Sequence, residues 1–260
     1  QLEHHIEGLP TLESSRMRLF RIMEDDRAGM DEIERAVSGD PAMAAKVVKL
    51  ANSPFYRHGG QHAGIHQAIR IIGFDMVKCL ALSLAVMDTF RPQTELMRML
   101  WAHSHTVAVT SAVLATTKAE METLFTGGLL HDIGRMVFVW RAYDTYRALY
   151  DAQNDWPDPV LEKERIGFHH GEVGSLLARR WHFPDRVVGI VAHHHHPTDR
   201  FSAIVGLADL VVCREGRGLD VGDEELALYA ARHIGTGHKE LVNALRDGYR
   251  TNSAIMEFLC

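Results

Sequence analysis

The chain has 260 residues, 46% of them apolar and 24% charged, and a formal net charge of −6 with histidine neutral. That length and composition suit one large globular domain or two small ones with ample material for a core. They provide no global basic field to draw in nucleic acid or an acidic membrane, and apolar runs such as CLALSLAVM (79–87) are far too short to span a bilayer.

Almost everything reads as helix. Residues 11–24 carry apolar side chains at mixed three- and four-residue steps, and 31–37 form a short helix. In GDPAMAAKVVKLANS, Asp40 is a good N-cap and Pro41 suits the first turn. That helix runs to about Ala51, where NSPFY must break it. The loop 52–60 is expected at the surface, with Phe55 and Tyr56 as candidate anchors. Residues 64–90 predict two helices interrupted near Gly73, and 79–87 is too continuously apolar to be a one-faced surface helix. Arg91-Pro92 marks a subdomain boundary. Helices are expected beyond it near 95–118, 122–138, 142–153, 158–164, 170–181, 185–194, 201–213, 223–233 and 237–248. There is no β alternation and no Gly-rich phosphate loop. The fold class is therefore all-α, in two parts: 7–91, and 92–260 with C-terminal helices.

Cys79, Cys213 and Cys260 are an odd number without CxxC spacing, which suggests free thiols in a reducing compartment. No signal peptide is visible from Gln1 onward, so a cytoplasmic location is expected, and the chain is open to being part of a longer protein.

Seventeen histidines are a heavy load, and their settings matter more than their number. His103 lies in WAHSHTVA, the His131–Asp132 pair in GLLHDIGR, His170 in FHHGEVG, His194–His195 in VAHHHHP and Asp209 in GLADLVV. Each lies in or beside an apolar helical stretch, where an ionisable group costs free energy unless it finds a partner. The partner is either a hydrogen-bond network or a metal ion. A single buried histidine is usually a hydrogen-bonded core residue, His131–Asp132 alone would make a structural pair, and Asp209 alone would cap a helix or close an ion pair. Taken jointly, imidazoles and carboxylates on several helices are how helical bundles build sites for Zn, Fe, Mn or Ni, and no cysteine accompanies them. On one continuous helix, His131 and Asp132 would diverge by about 100° and could serve two ions, the carboxylate bridging. At least one of His193–His196 must face solvent. His4, His5, His58, His62, His66 and His238 read as surface or turn residues.

The order H…HD…H…HH…D resembles the HD superfamily of metal-dependent phosphohydrolases. HSHTVA resembles that family's first-ligand helix and places the ligand at His103 rather than His105. GLLHDIGR resembles its signature pair. HGEVGSLLARRWHFPDRVVGIVAHHHH is similar to the later helices of its cyclic-dinucleotide phosphodiesterase branch, which implies ligands at His170, His194 and His195, with Asp209 of LADLV as the last. Upstream, GDPAMAAKVVKLANSPFY and GIHQAIRIIGFDMVKCLALSLAV are similar to the HDOD domain, a likeness spanning about residues 7–215. It implies a bacterial all-helical signalling module in which an N-terminal bundle packs on an HD-like bundle. HDOD domains often lack intact metal ligands and have no settled reaction, whereas this sequence keeps the whole ligand order. It has nothing like a GYP segment after the paired histidines, and Arg135 replaces the lysine usual after HDIG. Cyclic-dinucleotide hydrolysis is therefore not implied.

Two functions follow. The first is a regulatory module with one or two divalent transition-metal ions that signals through a protein partner. The second is a metallophosphohydrolase acting on a phosphate-containing small molecule, in which paired ions activate a water and Arg135 or a metal steadies the developing charge. Arg135→Ala should then leave metal content and stability nearly intact. Nucleic acid and membrane are not expected partners.

Overall fold

The computed structural model describes residues 28–52, 64–213 and 239–247, with isolated positions 8, 12, 21, 22 and 237. The expected helix 223–233, most of 11–24, the 52–60 loop beyond Asn52, and His4, His5, His58, His62, His238 and Cys260 lie outside the described residues. Among the described residues there is no strand, and the fold is all-α. No described helix is long and apolar enough to cross a membrane.

The chain divides between Thr89 and Phe90 into two compact units. In the first, α1 (Met30–Ser38), α2 (Pro41–Ala51) and α3 (Ile65–Ile72) pack on one another, and α4 (Phe74–Thr89) packs on α2 and α3. The Asp40 carboxylate accepts from the Ala42 and Met43 amides at 3.0 and 3.1 Å, and Pro41 opens the helix as the sequence predicts. Met43, Val47, Leu50 and Ala51 then form its buried stripe. Gly73 ends α3 with φ of 85°, a left-handed conformation that costs glycine little, and α4 begins at the next residue. In α4 every residue from Cys79 to Val86 is buried, as a continuously apolar run requires.

The second unit contains α5 (Glu95–Ala112), α6 (Lys118–Leu130), α7 (Ile133–Arg141), α8 (Tyr143–Gln153), α9 (Pro159–Ile166), α10 (His170–Arg180), α11 (Asp185–His193) and α12 (Arg200–Cys213). Helix α5 packs along α6, α10 lies between α7 and α11, and α12 packs on α5, α6 and α11. The helical stretch 239–247 buries Leu241, Val242 and Leu245 in the same core as Val107, Ile190 and Ala203–Ala208.

Two expected helices are corrected. The one over 95–118 ends at Ala112, and a new helix starts at Lys118 behind Thr117, whose hydroxyl accepts from the Glu120 amide. The one over 122–138 is two helices, α6 and α7, with His131–Asp132 forming the turn between them. Aspartate is a favoured N-cap. Asp132 nevertheless makes no capping bond with its side chain, and its carboxylate is used elsewhere.

Candidate metal centre

Five segments deliver the predicted residues to one place in the second unit. His103 comes from α5, His131 and Asp132 from the α6–α7 turn, His170 from the first residue of α10, His194 and His195 from just beyond α11, and Asp209 from α12. Helix crossings set these positions at glycines. A Cβ on Gly134 would collide with the carbonyl oxygen of His170, and one on Gly206 with that of His194.

The donors form two groups. In the first, His103 Nε2 lies 2.9 Å from Asp209 Oδ1, 3.3 Å from His131 Nε2 and 3.7 Å from Asp132 Oδ2. In the second, His170 Nε2 lies 3.2 Å from His194 Nε2, 2.9 Å from His195 Nε2 and 3.4 Å from Asp132 Oδ1. Metal–ligand bonds of about 2.0–2.1 Å give polyhedron edges of about 2.9–3.4 Å, so most of these separations are those of donors around a common ion. Asp132 spans the groups, with Oδ2 towards His103 and His131 (3.7 and 3.6 Å) and Oδ1 towards His170 and His194 (3.4 and 3.9 Å). The carboxylate that faces both groups is thus presented by a turn, not by adjacent positions on one helix.

Hydrogen bonds on the outer side of the rings decide which nitrogen faces inward. His131 Nδ1 donates to Gly128 O at 2.6 Å, and His194 Nδ1 to Val191 O at 3.0 Å. Carbonyl oxygens only accept, so these nitrogens carry the hydrogen, and each neutral ring points the Nε2 lone pair into the site. His170 Nδ1 donates to Glu162 Oε2 at 2.6 Å, which turns its Nε2 inward. Glu162 is fully buried and also accepts from the His170 amide and from Tyr146 Oη at 2.7 and 2.6 Å. Burial favours its neutral acid, but His170 and Arg135 prevail and hold it ionised.

Burial opposes charge on every buried group here. On Asp132 it is outweighed by Arg135 and then His131, and on Asp209 by hydrogen bonds from His103 and His131, so both carboxyls lie well below their usual range. On His131 it is outweighed by Asp132 and Asp209, and the imidazole pKa rises. A proton and a metal ion therefore compete for one His131 lone pair. Burial and then neighbouring imidazoles, His195 for the one and His170 for the other, depress His194 well below its ordinary value and push His195 down to about 3. Neutral His194 and His195 thus face His170 and the Asp132 carboxylate in the second group.

His105 is not among these donors. Its Nδ1 meets Trp101 O at 3.0 Å and its ring packs on Trp101. Of His193–His196, His194 and His195 turn inward while His193 and His196 are exposed. His66 is a surface residue paired with Glu34 at 2.7 Å.

Three features escape or correct the sequence reading. Arg135 is not free. It is 4% exposed, and its Nε donates to Asp132 Oδ1 at 2.9 Å. A cysteine does accompany the set, since Cys213 Sγ lies 3.4 Å from Asp209 Oδ1, one helical turn further along α12. Burial and then Asp209 push that thiol up, so it is protonated in the metal-free protein. Its i, i+4 spacing from Asp209 is a usable sequence signal. Glu162 and Tyr146 have none, because LEKER reads as a solvated charged face.

Glu162→Gln tests the support of His170. The amide oxygen can still accept from His170 while the amide NH2 donates to the Tyr146 hydroxyl, so the contacts are kept and only the negative charge behind the ring is lost. We expect zinc affinity of the second group to fall about 10–100-fold in a chelator-competition titration.

A family model of the HDOD domain matches residues 9–197. The chain belongs to the HDOD family. This HDOD domain shares its fold with a Shewanella amazonensis protein named "Putative phosphohydrolase", at a TM-score of 0.79 and 22% identity, covering 100% of this chain and 98% of that one. A Marinobacter aquaeolei "Putative signal transduction protein" matches at a TM-score of 0.76 and 20% identity, over 96% of this chain and 59% of that one. An uncharacterised Treponema pallidum protein is 24% identical over 196 residues, 74% of this chain, and the match spans 38% of that relative's length.

Proposed function

We propose that this HDOD domain is a regulatory signalling module whose second unit holds divalent transition-metal ions, with Asp132 bridging two positions, and that its output passes through contact with a protein partner. The observation that carries the metal reading is the approach of His170 Nε2 and His194 Nε2 to 3.2 Å while both Nδ1 atoms donate outward. Two ring nitrogens facing each other at that distance need a proton or a metal ion between them. His103, His131, Asp132 and Asp209 would hold one ion, and Asp132, His170, His194 and His195 the other.

The surroundings favour regulation over turnover of a phosphate ester. A cavity of about 510 Å³ borders His194 and His195, and its walls include Glu164 and Glu172. The one lysine among its lining residues, Lys163, is bound to Glu172 at 2.9 Å. None of His103, His131, Asp132, His170 and Asp209 lines it, and a phosphate there meets two carboxylates, a neutralised lysine and the rings of His169, His193 and His196. Arg135 is engaged with Asp132.

A second reading, hydrolysis of a phosphate ester, draws on one observation: buried Arg135 Nη1, 3.9 Å from Glu162 Oε1, has no hydrogen-bond partner among the described residues and would donate to a phosphate oxygen. Bound ions would supply Lewis acidity and acidify a water to near neutrality. The test is elemental analysis of the protein, then hydrolysis assays over cyclic dinucleotides and nucleotides with added Mn or Fe. The regulatory reading expects stoichiometric metal and no turnover above metal-stripped protein. Metal-dependent turnover would overturn it in favour of the hydrolase.

A further inference from the structure

The two halves of the centre differ in chemistry. The second group offers three imidazoles and a carboxylate oxygen, whereas the first has a sulfur beside it. Cys213 lies on α12 four residues after Asp209, partly buried, with Sγ 3.4 Å from Asp209 Oδ1. The ligand atoms of His103, Asp209 and Cys213 all lie within 4.8 Å of one another. A metal–sulfur bond of about 2.3 Å and a metal–oxygen bond of about 2.0 Å, at the roughly 90–120° angles of a five-coordinate ion, give a sulfur–oxygen edge of about 3.0–3.7 Å. The observed separation falls within that range. It sits beside a His103–Asp209 separation of 2.9 Å that is itself a ligand edge.

We propose that Cys213 is a ligand to the ion held by His103 and Asp209, which makes the first position a mixed nitrogen, oxygen and sulfur site distinct from the second. This rests on the metal reading above and deepens it. On coordination the S–H bond gives way to a sulfur–metal bond and the proton leaves to solvent. A thiolate favours zinc, iron and cobalt over magnesium and manganese, whose preferred partners are oxygen donors. The two positions therefore differ in selectivity, and the first discriminates against manganese.

The test loads the full chain with Co(II) alone and records its electronic absorption. Wild-type protein is expected to show a near-ultraviolet thiolate-to-cobalt charge-transfer band. Cys213→Ser is expected to bind cobalt without that band and to lose about tenfold in zinc affinity relative to manganese. Should that variant fold poorly, X-ray absorption of zinc-loaded wild type keeps the proposal testable, with sulfur expected at about 2.3 Å from zinc. Cobalt bound without the band, a band retained in Cys213→Ser, or zinc with no sulfur neighbour overturns the ligand assignment and leaves the metal centre standing. No cobalt or zinc binding at all overturns both.

Discussion

Asp132→Ala is expected to abolish metal loading and to lower the stability of the metal-free protein by about 3–5 kcal/mol. The two losses have separate causes. Asp132 is the residue whose two oxygens face both donor groups, so neither group keeps its full set without it. It is also the Nε partner of Arg135 at 2.9 Å, in a place where both side chains are almost fully buried. Alanine leaves a guanidinium without its carboxylate in a low-dielectric interior, and the desolvation that the pair shared falls on one ion. Asp132→Asn separates the contributions, since it keeps the shape and part of the hydrogen bonding while removing the charge. Elemental analysis reports the metal, and urea unfolding of chelator-treated protein reports the stability. An Asp132→Ala protein that melts like the parent and keeps its metal would return the His131–Asp132 pair to an ordinary core hydrogen bond.

Gly134→Ala is expected to cost about 2–3 kcal/mol, although alanine is the better helix former. The added methyl meets the carbonyl oxygen, carbonyl carbon and Cα of His170. Those are backbone atoms at the start of α10, so no rotamer change relieves the clash, and the two helices must separate. His170 moves with them, and metal affinity of the second group falls while that of the first is less affected. Gly189→Ala is the matched control. Gly189 is also a helical residue, in α11, but a Cβ added there would have nothing within 4 Å, so the substitution should be neutral or stabilising by up to about 1 kcal/mol. Equal effects in the two variants would show that the α7–α10 crossing does not depend on Gly134.

Much of the architecture is local and therefore legible in the chain itself. Asp40-Pro41 starts a helix because a carboxylate satisfies free amides and proline needs none. Gly73 parts two helices because it accepts a positive φ. The seven candidate ligands are readable as ionisable residues in apolar stretches, and their order carries the family resemblance. What local pattern does not show is where helices cross. Residues 122–138 have a continuous helical pattern, yet the chain turns at His131–Asp132, where the close approach of α7 to α10 at Gly134 and the ion pair with Arg135 outweigh helical propensity. Glu162 lies in a charged run that reads as solvated, and only packing buries it behind His170. Arg135 reads as available because sequence shows charge but not partners. Sequence by itself determined the all-helical class, the Asp40 cap and the donor types. The tertiary structure alone decided which lone pairs face one another and which charges are already neutralised, because those depend on distances of about 3 Å between segments far apart along the chain.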